Sequence, residues 1–149
     1  MIEELASTFP ILTCILFLPV IGAVVLWLFD DEDMVRTSAL TIALLELALC
    51  VFVLLRFIPE SAAMQFSEHV PWIPALGISY HLAVDGISVL FVGLTAFLTV
   101  LIVIYSWDTV RHQVKLYMMA LLALETTTMG VFLSIDLILF FVFWELMLI

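Results

Sequence analysis

Charge is scarce in this sequence, and positive charge is scarcest. Only 12% of the 149 residues are charged, and the basic ones are Arg36, Arg56, Arg111 and Lys115. These four residues are scattered, so the chain has no basic patch of the kind that holds nucleic-acid phosphates. The net charge of −10 comes from acidic residues in short segments, above all at positions 30–33. We interpret this acidity as solvated loop ends.

Residues that bind metals and cofactors are also few. The two cysteines, Cys14 and Cys50, have no metal-type spacing, and both lie in apolar runs as small apolar side chains. The three histidines, His69, His81 and His112, lie in or beside connections and are expected to be interfacial polar residues. There is no glycine-rich phosphate loop and no nucleophile elbow. We therefore predict no metal site, no cofactor site and no redox chemistry in this chain itself.

Apolar residues, in contrast, are abundant. They make up 66% of the chain, whereas a soluble domain has roughly 45–50%. Several runs approach the ~20 residues that a helix needs to cross a bilayer. None of the long runs alternates, which excludes the pattern of a membrane β-barrel. The sequence predicts an all-α fold, a polytopic transmembrane helical bundle that forms a single membrane domain over residues 1–149.

The chain divides into about five predicted spans. They cover residues 9–29, 38–58, 86–107, 116–133 and 137–149, with a long outer loop at 59–85. The fifth has a length of only ~20 Å at 1.5 Å per residue, too short to cross, so we expect it to be truncated. The chain is then the N-terminal portion of a longer protein or half of a split subunit. Within the outer loop, "GISYHLAVDG" predicts a short hairpin covered by protein.

The basic residues predict an orientation. Arg36, Arg111 and Lys115 lie in the connections after spans one and three, whereas the long loop has only Arg56 at its edge. The positive-inside rule then places the N-terminus and the long loop outside. For a bacterial source, this predicts a multi-pass protein of the cell inner (cytoplasmic) membrane with a periplasmic N-terminus.

Three carboxyl groups lie inside predicted spans, namely Glu46, Glu125 and Glu145. An ionised group there costs above ~2.5 kcal/mol, so a cation, water or a bound proton must offset the cost. Glu125 and Glu145 lie equally far from Ile135, the centre of the turn between spans four and five, and both fall near the bilayer midplane. If their helix faces meet, at least one carboxyl carries a proton at neutral pH. Spacing alone leaves open whether the faces meet.

The residues around each carboxyl suggest different roles. Intramembrane acids are functional by default, so Glu145 is predicted to take part in proton translocation. Glu125, followed by three threonines at 126–128, is either a possible proton carrier or a protonated carboxyl bonded to hydroxyl groups. Glu46 has no polar company in the sequence and is given a structural role.

Two aspartates are predicted to cap helices. Asp136 stands at the start of span five, and Asp85 stands before span three, followed by Gly86 and Ser88. A carboxylate at that position accepts hydrogen bonds from free N–H groups and complements the helix dipole. Capping is therefore the interpretation for both.

Two stretches resemble a known family. "GISYHLAVDGISVLF" (residues 77–91) and "GVFLSIDLILFFVFWELMLI" (residues 130–149) are similar to the N-terminal portion of subunit M of NADH–quinone oxidoreductase (complex I), called chain 4 in mitochondria and chloroplasts. This is the family of antiporter-like membrane subunits, whose fold is built from inverted repeats. The resemblance implies that Glu145 is the glutamate of the fifth helix that pairs with a lysine on a later helix to gate proton movement. It also implies that Trp144 helps to pack that site.

The resemblance implies a function for the complete subunit. It would couple NADH oxidation and quinone reduction to proton pumping as a translocase subunit, with NADH and quinone used elsewhere in the complex. The expected partners are other membrane-arm subunits, the remaining part of the same subunit and the lipid bilayer, with no nucleic acid. One alternative is a subunit of a related Mrp-type cation/proton antiporter or membrane-bound hydrogenase. An alternative of another class is a structural or assembly membrane protein without transport.

Overall fold

A computed structural model describes residues 10–61 and 63–148. The helices in this part of the chain are α1 (Ile11–Leu26), α2 (Glu32–Arg56), α3 (Ser88–Thr109), α4 (Val114–Leu133) and α5 (Leu137–Met147), and the strands are β1 (Gln65–Ile73) and β2 (Ile78–Val84). By length and composition α2, α3 and α4 can each cross a membrane, whereas α1 and α5 are shorter apolar helices. The prediction of a mostly helical membrane bundle is confirmed, and the two-stranded sheet is a minor addition.

Helix α4 lies at the centre of the bundle. It packs against α1, α2, α3 and α5, while α2 packs along α3 and against α1. The start of the first predicted span at Phe9 and the end of the fifth at Ile149 lie outside the described residues. The prediction of a periplasmic N-terminus also concerns residues outside that range, and it stays a prediction.

Two residues of the acidic segment at 30–33, Glu32 and Asp33, belong to helix α2, which corrects their interpretation as loop ends, whereas Asp30 and Asp31 precede the helix. Asp31 is the N-cap, and its side chain accepts a hydrogen bond of 3.0 Å from the backbone N–H of Met34. Glu32 and Asp33 follow in the first turn, where negative charge complements the helix dipole. The helix therefore begins at Glu32 rather than at the predicted 38. The side chains stay exposed, as expected for this end of the helix.

The predicted hairpin exists, but its boundaries were wrong. Strand β2 comes from the segment expected to fold on itself, and its antiparallel partner β1 lies upstream. The sequence did not reveal β1 because its residues are half-exposed or exposed along both faces, which removes the alternation that marks a half-buried strand. A 3₁₀ turn, Pro74–Leu76, and Gly77 at φ 68° connect the two strands.

The hairpin holds several helix ends by hydrogen bonds. Helix α1 has no side-chain cap of its own, and Glu68 of β1 accepts hydrogen bonds from the backbone N–H groups of Leu12 (2.7 Å) and Thr13 (3.0 Å). On β2, the carbonyl of His81 accepts a hydrogen bond of 2.9 Å from Ile135, in the turn between α4 and α5. The hairpin therefore fixes that turn, and with it the position of α5.

The opposite end of the bundle is joined by basic side chains. Arg36 donates to the carbonyl of Val110 at 3.1 Å, and Lys115 forms an ion pair with Asp30 at 3.1 Å. Asp30 and Val110 lie in the connections after the first and third helices, and Arg36 and Lys115 lie near the starts of α2 and α4, so these segments share one end of the bundle. The positive-inside rule still predicts that this end faces the cytoplasm.

Candidate functional site

The interior of the bundle consists of two apolar clusters with polar residues between them. The first cluster lies toward the hairpin, and the second lies toward the opposite end. On α2, Cys50 belongs to the first cluster and Ala43 to the second, and Glu46 lies between them. On α4, Met129 and Leu122 mark the same two clusters. The interior thus changes from apolar to polar near the middle of the helices.

We call the buried polar residues between the clusters the polar layer. Its members are Glu46, Thr99, Glu125 and Thr126. Glu46 is 0% exposed and Glu125 is 2% exposed. Both carboxyls therefore lie fully inside the bundle and near the middle of long apolar helices, where an unpaired charge is costly.

Glu46 has polar neighbours that its sequence context did not suggest, so the interpretation that it lacks polar company is wrong. The Cys50 thiol donates to Glu46 Oε1 at 3.8 Å, one helical turn away. Glu125 belongs to helix α4, which packs against α2, and it is buried in the same polar layer. Within the described part of the chain, Glu46 Oε2 is buried without a hydrogen-bond partner.

The sequence contains a pattern that points to burial of Glu46, although the residues next to Glu46 are apolar and do not reveal it. Glu46 continues a stripe at helical spacing whose other members are small or β-branched and buried: Ala39, Ala43, Cys50 and Val53. Such a stripe allows two helices to approach closely. An acid within it must lie inside the bundle and not face lipid.

Glu125 lines a cavity of about 190 Å³ between α3 and α4. The other polar residues that line it are Thr95, Thr99 and Thr128. Among the described residues, neither oxygen of the Glu125 carboxyl has a hydrogen-bond partner, and the same is true of Thr126 Oγ1. The Glu125 carboxyl makes no hydrogen bond to the hydroxyl groups at 126–128, because those of Thr127 and Thr128 donate to the carbonyl of Leu124. Both sequence interpretations of Glu125, as a proton carrier and as a carboxyl bonded to hydroxyl groups, therefore stay predictions.

Glu145 lies on the outside of the described bundle. Its side chain is exposed on the same face of α5 as Ile138, Phe141 and Leu148, which are also exposed. Glu145 lies nine positions after the helix cap at Asp136, which places it about 13 Å along the helix axis. The face is thus apolar except for one acid near its middle.

Glu125 and Glu145 do not share one environment, which answers the question that spacing left open. Helix α5 turns Leu139 and Phe143 toward the bundle, and Phe143 packs directly on Gly130 of α4. A side chain at Gly130 would overlap the Phe143 ring, so glycine is needed for this approach. Glu145 lies on the other side of α5, away from the buried carboxyl of Glu125.

Aromatic stacking orders the helix around Glu145. The rings of Phe140 and Trp144, one helical turn apart, stack at 5.9 Å between centroids. Trp144 is 43% exposed, so its ring lies at the edge of the outer face. The expectation that Trp144 helps to pack the site of Glu145 stays a prediction.

The two predicted capping aspartates are confirmed. Asp136 accepts hydrogen bonds from the N–H groups of Ile138 (2.9 Å) and Leu139 (3.2 Å), and its second oxygen accepts one from Ser79 of β2 (2.9 Å). The backbone N–H of Ser79 makes the largest contribution to holding the pKa of Asp136 below its usual range. Asp85 likewise has a lowered pKa, because the backbone N–H of Ser88 donates to it at 2.6 Å.

The chain is similar to known proteins over nearly its full length. The NADH-quinone oxidoreductase subunit M of Rickettsia conorii is 35% identical over 147 residues, which is 94% of this chain and 30% of that protein. The NAD(P)H-quinone oxidoreductase chain 4 2 of Thermosynechococcus vestitus is 40% identical over 141 residues, 93% of this chain and 26% of that protein. No protein-family model matches the chain.

A solved structure shares the fold. A chain of respiratory complex I from Thermus thermophilus with bound NADH superposes with a TM-score of 0.75 and 25% identity, over 92% of this chain and 27% of that one. The resemblance to the N-terminal portion of subunit M or chain 4 is therefore confirmed, and the protein is a multi-pass membrane protein. The chain spans 26–30% of the length of these curated relatives.

Proposed function

We propose that the chain is the leading part of a proton-translocating membrane-arm subunit of an NADH–quinone oxidoreductase, in which Glu145 binds and releases the transported proton. NADH and quinone would react in other parts of the complex. The partners would be further helices of the same subunit and neighbouring membrane-arm subunits. The names of the similar proteins favour this complex over an antiporter or a hydrogenase.

The observation that carries the proposal is a single acid on an exposed apolar helix face. An ionised carboxyl in contact with lipid near the midplane would cost above ~2.5 kcal/mol, whereas the same carboxyl covered by a helix that carries a base would be stabilised. The face of α5 with Ile138, Phe141 and Leu148 provides apolar contacts for such a helix. Glu145 would then form an ion pair whose proton affinity changes when the base moves.

The backbone around α5 supports a positioned acid. The helix is capped by Asp136 and is held at its start by the hairpin. Phe143 locks its inner face against Gly130. These contacts fix the rotation of α5, so Glu145 is presented outward by a rigid helix.

NADH-driven proton uptake by membrane vesicles that carry the complete subunit tests the proposal. We expect Glu145→Gln to abolish proton uptake at neutral pH. The amide keeps the shape of the side chain, but it cannot bind and release a proton as a carboxyl group does. Glu60→Gln, at an exposed acid in the connection before the hairpin, is the matched control and should retain uptake. Near-normal uptake per NADH oxidised in Glu145→Gln vesicles, with normal amounts of assembled complex, would refute the role.

A further inference from the structure

We propose that Glu46 and Glu125 form a second proton-binding site, a buried carboxyl pair that holds one exchangeable proton and is reached through the threonine-lined cavity between α3 and α4. This site differs from Glu145 in position, because it lies inside the described bundle and not on the outer face of α5. The inference does not depend on Glu145 taking part in transport.

Burial without partners is the first argument. Glu46 and Glu125 are 0% and 2% exposed, and three of their four carboxyl oxygens have no hydrogen-bond partner among the described residues. Within those residues the ion pairs involve Arg36 and Lys115, and neither base pairs with these carboxyls. Two ionised carboxylates in one apolar interior would be both desolvated and mutually repulsive, so a proton must neutralise at least one.

The chemistry of the cavity wall is the second argument. The hydroxyl of Thr95 donates to the carbonyl of Phe91 at 2.8 Å, and that of Thr99 donates to the carbonyl of Thr95 at 3.1 Å. Thr128 likewise donates to a backbone carbonyl of its own helix, at 2.8 Å. Each of these three hydroxyls already donates its one proton, so their oxygens remain as acceptors and a further donor in the cavity would have to be water. A carboxylate needs donors, whereas the O–H of a protonated carboxyl needs an acceptor.

The size of the cavity is the third argument. Its volume is about 190 Å³, with the exposed side chains of Leu98 and Leu124 at its edge, and it has room for several waters. Water there has hydroxyl oxygens to bond to and reaches Glu125, which lines the cavity. A proton can therefore travel from the groove between α3 and α4 to Glu125, and Glu46 is buried in the same polar layer.

The titratable groups around the pair are few. On α2 the Cys50 thiol bonds to Glu46, and on α1 Cys14 lies within electrostatic range of Glu46. The side of α3 that meets the cavity presents Thr95 and Thr99, which do not titrate in the physiological range. The exchangeable proton is thus assigned to the two carboxyls.

Infrared spectroscopy of the complete subunit in lipid nanodiscs tests the site directly. We expect a C=O stretching band of a protonated carboxylic acid at neutral pH that shifts in deuterated water. The band should disappear in the double variant Glu46→Gln/Glu125→Gln and remain in Glu145→Gln and in Glu60→Gln. Loss of the band in Glu145→Gln alone would overturn the inference, as would an unchanged band in the double variant.

The rate of deuterium exchange tests the cavity as the route. Thr99→Val keeps the shape of the side chain and removes one acceptor oxygen, so we expect exchange at the band to slow about fivefold, as the loss of one hydrogen bond predicts. Thr41→Val, at an exposed threonine of α2 whose hydroxyl also donates to its own helix, should leave the rate unchanged. An equal effect of both variants would overturn the route. A band that is present only when sodium is absent would overturn the proton assignment in favour of a cation site.

Discussion

Glu46 and Glu125 lie inside the bundle, whereas Glu145 lies on its outside, although all three are single carboxyls in apolar helices. The inner pair is enclosed by side chains of α2, α3 and α4. The outer carboxyl stands on a face of α5 that nothing in the described residues covers. The same chemical group therefore occupies two different environments in this chain, the interior of the bundle and its outer surface.

The comparison shows which of the two carboxyl environments is formed entirely by the described residues. The polar layer has its walls, its cavity and its acceptor oxygens within residues 10–61 and 63–148. Glu145 has a rigid helix beneath it, but its partner under the proposed function lies on other helices. Variants of the inner residues should therefore change the stability of the bundle, whereas variants of Glu145 should change function alone.

The largest effect on stability is expected at the contact between α4 and α5. Gly130→Ala adds a methyl group that overlaps the Phe143 ring, and overpacking of this kind costs about 1–3 kcal/mol. We expect lower stability in denaturant titrations of the chain in lipid nanodiscs, together with a displaced α5. The outer carboxyl then moves while the polar layer stays in place, which separates the two regions.

Gly93→Ala is the matched control for that prediction. Gly93 lies inside helix α3, and a methyl group there meets no atom within 4 Å. Alanine favours the helix over glycine by about 1 kcal/mol, so the control should keep or raise stability. A similar loss of stability in both variants would show that the Gly130–Phe143 contact is not what fixes α5.

A smaller effect of opposite sign is expected at the inner pair. Glu46→Met replaces a buried carboxyl that has an unpartnered oxygen with an apolar side chain of similar length, and we expect a gain of about 1 kcal/mol. Glu145→Met should change stability little, because its side chain is exposed. Denaturant titrations of the two variants compare the regions directly. A loss of stability on Glu46→Met would mean that this carboxyl makes a favourable bond.

Much of the fold could be predicted because bilayer crossing leaves a strong pattern. Long apolar runs located the helices to within a few residues, and Asp85 and Asp136 revealed their caps. Strand β1 could not be predicted, because its side chains do not alternate between buried and exposed positions. Glu32 and Asp33 were wrongly assigned to the loop because the first turn of a helix and a solvated loop end have the same acidic composition.

The candidate sites depended on different kinds of information. Glu145 was found from an acid in an apolar run and from the resemblance of the surrounding residues, which are local signals. Glu46 was missed because the other buried carboxyl, Glu125, is 79 positions away in the sequence, and the two share the polar layer only because α2 packs against α4. Two acids on different helices can be recognised as one site only when the rotation of each helix about its own axis is known.

The smallest effect is expected at the cap that holds the start of α5. The pKa of Asp136 lies below its usual range when the protein is folded, chiefly because the backbone N–H of Ser79 donates to its carboxylate. Its contribution to stability is therefore present above the unfolded-state pKa and is lost as pH falls through the folded-state pKa. Hydrogen-exchange protection of the N–H groups of Ser79 and Leu139 should stay constant down to the ordinary aspartate range and fall below it. Asp136→Asn should lower protection at neutral pH, with the difference from the unaltered protein vanishing in acid.

The exposed Asp108 near the end of α3 provides the control for that pH dependence, because its carboxyl group makes no hydrogen bond to the described residues. Asp108→Asn should leave the protection of Ser79 unchanged at every pH. Since Asp136 joins the hairpin to α5 and lies far from the polar layer along α4, its protonation should loosen the helix of Glu145 and leave the infrared band of Glu46 and Glu125 unaltered. A simultaneous change in both would show that the outer and inner carboxyls belong to one coupled unit.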